Sequence, residues 1–307
     1  MILPTCLVLM CTYNGERFLR EQLDSILSQE GVAVSIRIAD DCSSDGTAKI
    51  LEEYAARNSN ISYSVNKANK NFTYNFIDLL FSAKDTSFDY YAFSDQDDIW
   101  MPDKLQRAIK MIGEKGQSKA GTLYCSNLHV ADIEGNPVGL EEDESINKTN
   151  KCTYLYENIC TGCTMVFDKR FMDQCVKYYP QGIRLHDHWF FLIAVFTAAW
   201  IYDYDSRILY RQHIDNQVGS KSSMDSSLSA QFSRFVKKKG VSETVQRLQQ
   251  LLEGYGEEIS EADKKNICIV ANYKKKLCCR LKFAFSRRFR RRKKNIRFRI
   301  RVLFGKV

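Results

Sequence analysis

Three aspartates, Asp95, Asp97 and Asp98, fall within four positions of the stretch FSDQDDIWMP at 93–102. Carboxylates packed this closely repel one another unless a cation or protons neutralise them. On spacing alone the cluster reads equally as a solvated turn or as a site for a hard divalent ion. Oxygen ligands of this kind suit Mg2+ or Mn2+, which bridge protein carboxylates to diphosphate oxygens. If the segment stays extended, Asp95 and Asp97 share one side and Gln96 takes the other.

The elements that must carry this cluster alternate along the first ~115 residues. CLVLMC (6–11) is a continuous apolar run, the pattern of a strand buried on both faces. Phe18, Leu19, Leu23, Ile26 and Leu27 then recur at helical spacing. VAVSIRIAD, ISYSV and YYAFSD read as further strands, and NFTYNFIDLLFSAK and KLQRAIKMIGEK as helices. Ser43, Ser44 and Asp45 are candidate caps for a helix from about residue 47. Alternation of this kind predicts an α/β fold with a mainly parallel sheet between helices, whose ligands bind at the carboxyl ends of strands. TYNGE (12–16), DDCSSDGT (40–47) and SDQDD (94–98) all fall at such ends.

The second part is less regular. GTLYCSNLHVAD predicts a strand, EGNPVGLEEDESINKTNK a polar loop, and GCTMVFDKRFMDQCVKYY a strand passing into a helix. WFFLIAVFTAAWIY (189–202) is the longest apolar block, too short to span a bilayer, and predicts a buried helix running into a strand. MILPTCLVLMC lacks the basic start and small-residue cleavage site of a signal peptide and reads as a buried strand. The eleven cysteines are an odd number scattered through apolar runs, which favours a reducing compartment. Cys160 and Cys163 have the spacing of half a zinc site, but no matching pair follows, so they read as core residues.

No G-x-G-x-x-G and no G-x-x-x-x-G-K-[ST] loop is present. Any phosphate must therefore be met another way. In order and on those elements, MCTYNGERFLREQLDSILSQ, IADDCSSDGT and FSDQDDIWMPDKL resemble glycosyltransferase family 2, enzymes of GT-A fold that use nucleotide-diphosphate sugars. GCTMVFDKR, LHDHWFFLIA and YRQHIDNQVG extend the likeness to about residue 220 and resemble the rhamnosyltransferase-like branch of bacterial polysaccharide synthesis.

The resemblance implies a role for each matching position. Thr12, Tyr13 and Glu16 would line the base pocket, and Asp41 would accept a hydrogen bond from the base. Asp95 opens the Asp-x-Asp signature near ribose and metal; Asp97 closes it and ranks first as metal ligand, with Asp98 orienting the loop. Asp187 in LHDHW would be the base that takes the acceptor proton, with an N-cap role as its alternative. His188 departs from the Trp common in that branch. Arg211 would offset diphosphate charge and His213 would add a metal or diphosphate contact. Lys70 is a weaker phosphate candidate.

The implied activity is inverting, metal-dependent transfer of a sugar, with Mn2+ or Mg2+ as cofactor. The acceptor would be a lipid-linked or oligosaccharide hydroxyl in O-antigen, capsule or wall synthesis. A sugar nucleotidyltransferase would carry a Gly-rich basic loop after the first strand, whereas TYNGERF is acidic with one glycine. A non-catalytic adaptor would leave Asp41, Asp95, Asp97 and Asp187 without a shared purpose.

The domain expectation is a catalytic region over 1–220, split near 115 into nucleotide and acceptor halves, then a helical basic region over 221–307. From Tyr273 to Val307 there are 16 Lys and Arg and no Asp or Glu, so residues 1–272 hold 29 basic against 37 acidic residues. The basic run is interleaved with Phe and Ile. It fits an anionic membrane surface better than nucleic acid, given a lipid-carried acceptor. The expected location is cytoplasmic, peripheral at the inner face of the plasma membrane.

Overall fold

The computed structural model describes residues 2–116, 118–140, 150–213, 243–289 and 295–305. The chain divides into two compact units. The first holds Met1–Asp143, Cys160–Tyr179 and Arg184–Arg211; the second holds Glu144–Ile159, Pro180–Ile183 and Gln212–Val307.

The first unit is built on a seven-stranded sheet. Its strands are β1 (Thr5–Thr12), β2 (Ala33–Asp40), β3 (Ile61–Val65), β4 (Tyr90–Ser94), β6 (Thr122–Ser126), β9 (Val166–Asp168) and β10 (Ala199–Asp203). They lie in the order β10-β6-β9-β4-β1-β2-β3. All neighbours pair in parallel except β9, which runs antiparallel to both β4 and β6. The expected mixed, mainly parallel sheet is the one observed.

Helices α1 (Leu19–Leu27), α2 (Thr47–Arg57), α3 (Phe72–Ser82), α4 (Lys104–Lys115), α5 (Lys169–Cys175) and α6 (His186–Thr197) flank it. On β1, Cys6, Val8 and Met10 face one side and join Leu19, Leu23 and Ile26 of α1 in the core. The i, i+4, i+7 spacing of those three places them on one stripe of α1. α6 is the expected buried helix, with ten of its twelve residues out of solvent, and it leads directly into β10.

A second sheet in this unit was not foreseen. It takes β5 (Ile99–Trp100), β7 (His129–Ala131), β8 (Pro137–Leu140) and β11 (Ile208–Arg211) in the order β5-β11-β7-β8. β8 falls where a polar loop was expected. All four of its residues are exposed, so no buried alternation marks it.

The second unit contains α7 (Glu243–Tyr255), α8 (Glu261–Ala271), α9 (Leu277–Phe285) and α10 (Asn295–Leu303). It is not the simple 221–307 appendage expected. Lys151 bridges to Asp263 at 2.8 Å, Tyr156 Oη donates to the Phe289 carbonyl, and Gln250 Nε2 donates to the Gln181 carbonyl. These contacts recruit two earlier segments that carry no basic signal. Among the described residues, no helix is long and apolar enough to cross a membrane.

Candidate active site

The pairing register fixes where the site lies. Thr12 pairs with Asp40 and Met10 with Ser94, so β4, β1 and β2 end side by side. The three polar loops anticipated from the sequence leave from those ends. Two non-glycine residues take positive φ there, Asn14 (48°) and Cys42 (67°), and Asn71 (68°) does so in the loop after β3. Left-handed backbone costs energy in such residues and tends to be kept where function demands a loop shape.

The loops are stitched to one another. Gln96 clasps the backbone of Tyr13, accepting from its N–H at 2.8 Å and donating to its carbonyl at 3.0 Å. Gly15 leaves room for this clasp, because a Cβ there would lie 2.3 Å from Gln96 Oε1 and push the amide aside. The Asn14 N–H donates to Ser43 Oγ and the Ser44 N–H to Asn14 Oδ1. Glu16 accepts from the Gly46 N–H, and the Glu16 N–H donates to Asp45. Glu16 therefore braces the entry of α2. The N-cap position of α2 is Gly46; Asp45, one residue earlier, accepts from the Thr47 N–H at 3.0 Å, whereas Ser43 is spent on Asp40.

The base-pocket candidates divide by what their side chains do. Thr12 is buried and donates to Asp40 at 2.7 Å, so its hydroxyl serves the fold. The Tyr13 ring is exposed, free of that constraint. Asp41 is buried, and its Oδ1 accepts from the Lys70 N–H at 2.8 Å and from Asn66 Nδ2 at 3.0 Å. Its Oδ2 has no partner among the described residues, which leaves one oxygen for a ligand donor. Lys70 serves through its backbone; its ammonium is paired with Asp78 at 2.8 Å.

The acidic cluster differs from the extended geometry expected. The chain bends at Gln96 and Asp97, so Asp95 and Asp98 turn inward together. Their carboxylates and the Cys163 thiol offer donor atoms all within 4.8 Å of one another. Asp97, ranked first from the sequence, is buried beside this set but not part of it. Cys163 arrives because β9 is antiparallel: its amino end, in a 3-10 turn at Gly162–Thr164, abuts the carboxyl end of β4.

Electrostatics here are severe. Burial first, then the charges of Asp97 and Asp187, push the Asp95 carboxyl up to about 7. Burial and the charges of Asp97 and Asp95 push Asp98 well above the ordinary carboxylate range. The Cys163 thiol and the Arg211 backbone ease that rise slightly, yet neither Asp98 oxygen gains a full hydrogen bond. A fully buried carboxylate with two orphaned oxygens fits a bound cation. Burial and then Asp98 and Asp95 hold the Cys163 thiol far above its usual value, so it stays protonated. The donor set is thus two carboxylates bedded on a thiol, suited to a hard ion.

Asp187 lies in the first turn of α6, whose N-cap is Leu185. The N-cap alternative therefore falls away. The carboxylate accepts from the His188 N–H at 2.6 Å, and is half-buried between the buried His186 and His188. Its Cβ would lie 3.7 Å from a Cβ on Gly162, the neighbour of Cys163, so it stands beside the acidic cluster. His186 stacks on Phe76 at 4.2 Å and stands edge-on to Phe93 at 5.4 Å. A Cβ on Gly162 would meet His186 Nε2 at 2.9 Å and Asp187 Cβ at 3.7 Å, so this glycine lets the turn close on α6.

Arg211 corrects its expectation. Its guanidinium is buried, donates to Glu21 at 2.6 Å and to the Ile133 carbonyl at 3.1 Å, and covers the Phe18 ring. Its charge is committed inside the unit rather than aimed at a diphosphate. His213 falls in the second unit and is not among the donors gathered with Asp95.

Sequence reasoning missed the bracing role of Gln96, the inward turn of Asp98, and Cys163. It also missed Lys104, buried with Nζ 3.4 Å from the Trp100 ring centroid. Burial lowers this ammonium to about 8, and Cys163, Cys6 and Asp98 partly restore it. The signal available was a lysine on the inward stripe of α4, one position before Leu105.

Residues 7–175 match the model of glycosyl transferase family 2. The chain is 36% identical over 225 residues to the dTDP-rhamnosyl transferase RfbG of Shigella flexneri, covering 69% of this chain and 74% of that protein. S. aureus TarS 1-349, solved in complex with UDP-GlcNAc, superposes with a TM-score of 0.58 at 20% identity, over 92% of this chain and 76% of that one. The mannosyltransferase PcManGT from Pyrobaculum calidifontis, in complex with GDP-Man and Mn2+, does so with a TM-score of 0.52 at 12% identity, over 100% and 88%. These likenesses show a GT-A fold. The match over more than half of its length, together with the extended identity to RfbG, makes this chain a glycosyltransferase of glycosyl transferase family 2.

Proposed function

We infer that the protein transfers a sugar, rhamnose first among the candidates, from a nucleotide-diphosphate donor to a hydroxyl of a lipid-linked or polysaccharide acceptor, with inversion. The observation that carries this reading is the placement of Asp187 against Gly162, next to the Cys163 whose thiol groups with the carboxylates of Asp95 and Asp98 beyond the end of β4. Similarity to a dTDP-rhamnosyl transferase supports the sugar. The acceptor class would put the work at a membrane surface, at its cytoplasmic face.

Asp41 Oδ2 and the exposed Tyr13 ring would receive the base, while Thr12 and Glu16 hold the loops that present them. Asp95 and Asp98 would hold Mn2+ or Mg2+, with Asp97 adjoining. A bound divalent ion supplies the charge that neutralises a departing diphosphate. Asp187 would accept the proton from the acceptor hydroxyl as that oxygen attacks the anomeric carbon from the face opposite the leaving group. Protonation does not disable Asp95, because a ligating cation displaces the proton.

The test is a panel of nucleotide sugars, dTDP-rhamnose included, assayed for donor hydrolysis and for transfer with Mn2+, Mg2+ or EDTA. One donor should be consumed, and only with metal. Asp187→Asn should lower turnover by about 10²–10⁴-fold while nucleotide affinity stays near wild type. Near wild-type turnover of this variant would remove the base assignment, and equal rates in EDTA would remove the cation.

A further inference from the structure

The second unit presents a face that its own packing does not use. Helices α9 and α10 meet through Phe283 and Phe298, whose rings stand edge to face at 5.4 Å. Tyr156 stacks on Phe298 at 4.6 Å, and Tyr273 and Phe289 close on Phe283 at 5.3 Å. That cluster accounts for the buried side of both helices. On α9, however, Leu277, Leu281 and Phe285 remain 67%, 44% and 55% exposed. They are spaced i, i+4, i+8 and so form one continuous stripe. On α10, Ile300 is also exposed, at 46%. Scattered apolar residues on a surface need no explanation, but aligned ones mark an interaction face.

The charged residues of the chain segment that carries the stripe are all of one sign. Lys275, Lys276, Lys282, Arg287, Arg288 and Arg301 are exposed, and no Asp or Glu occurs from residue 273 to the end. Two copies meeting through this face would set like charge against like charge. A nucleic acid would supply phosphates but no apolar bed for Leu277 and Leu281. An anionic bilayer supplies both at once, acyl chains at shallow depth and acidic headgroups level with the cations.

We propose that α9 and α10 form an interfacial docking face for an anionic lipid bilayer, with Leu277, Leu281 and Phe285 entering the acyl boundary and the flanking Lys and Arg lying among acidic headgroups. No membrane-spanning segment is required. The proposal gives the lipid-linked acceptor class a physical basis, yet it does not depend on the catalytic assignments.

Flotation of the full chain with two kinds of vesicle tests it: phosphatidylcholine alone, and phosphatidylcholine mixed with phosphatidylglycerol. The protein should float with the mixed vesicles, little with the neutral ones, and less as salt rises. Leu277→Ser/Leu281→Ser/Phe285→Ser leaves every charge in place and touches only exposed positions. It should lower partitioning onto mixed vesicles at least about tenfold, with helicity by circular dichroism and donor hydrolysis in solution unchanged. Undiminished flotation of this variant would overturn the proposal, since charge alone would then suffice. Equal flotation with neutral vesicles would overturn it too. So would a variant that abolished self-association, or duplex binding at equal salt, while leaving flotation intact. Failure of donor hydrolysis in the wild-type chain would count against the catalytic reading and leave flotation to be judged separately.

Discussion

Asp98 concentrates the site's chemistry in one side chain. It is fully buried, carries two orphaned oxygens, and its proton is held well beyond the ordinary carboxylate range by burial, Asp97 and Asp95. Without a cation this is a cost to folding. A carboxyl raised in the folded state stabilises nothing above its unfolded value: it must keep a proton that the unfolded chain releases. The sign follows. Stability from this group is fully present below about pH 4 and is lost as pH rises toward the folded value, at up to about 1.4 kcal/mol per pH unit. Asp98→Asn removes the group while keeping its shape. In EDTA, urea denaturation should find the variant no more stable than wild type near pH 4 and progressively more stable toward pH 7. With Mn2+ the order should reverse, because the variant gives up a ligand. An advantage independent of pH would show that Asp98 is not under this strain. The sequence announced three aspartates here but not which of them turn inward. That depends on the bend at Gln96 and Asp97, which Gln96 secures by reaching across to Tyr13 from a different strand.

At the scale of elements, α6 joins the apolar core to the base candidate. His186 and Asp187 are neighbours in its first turn, one wedged among Phe72, Phe76, Phe93 and Phe190, the other half-open. Burial alone lowers the His186 imidazole to about 3. Here the sign opposes that of Asp98. The unfolded chain takes up a proton below about pH 6.5 that the folded chain refuses, so stability falls with pH from there toward about 3, by at most about 1.4 kcal/mol per unit. His186→Phe should erase that slope. In EDTA, the stability difference between variant and wild type should widen as pH drops from 7 to 5 and stay flat above 7. A difference constant across that range would mean the imidazole titrates freely. Much at this scale was legible in the sequence, because elements buried on every side write themselves as apolar runs: CLVLMC for β1 and WFFLIAVF for most of α6. β8 was not legible because it buries nothing, and β5 because two residues carry no period. The direction of β9 was hidden as well. GCTMVFD reads the same either way, and only its pairing with β4 and β6 brings Cys163 to the aspartates.

For the whole molecule, charge and packing partition the chain differently. By charge it splits near residue 273, an acidic body followed by a segment with sixteen Lys and Arg and no Asp or Glu. By packing, the basic region is a structural part of the second unit. Phe283, Phe289, Phe298 and Val302 are buried, and Tyr156 from a distant segment is stacked on Phe298 and bonded to Phe289. Charge is visible in composition, whereas this packing needs residues 133 positions apart to meet. The consequence is that removing residues 273–307 would strip an aromatic core rather than trim a tail, so loss of membrane binding in such a truncation would have two explanations. Phe298→Ala separates them. It changes no charge and no exposed residue, but it empties the space between Tyr156 and Phe283. Large-to-small substitution at such a position costs about 3–5 kcal/mol. Urea denaturation should show a lowered midpoint of that order. Tryptic cleavage after the basic residues of α9 and α10 should become faster, since their helices lose the contact that buries them. Unaltered stability and cleavage would mean that the cations hang on a segment independent of the core. In that case the apolar stripe of α9 would have no fixed orientation from which to meet a membrane.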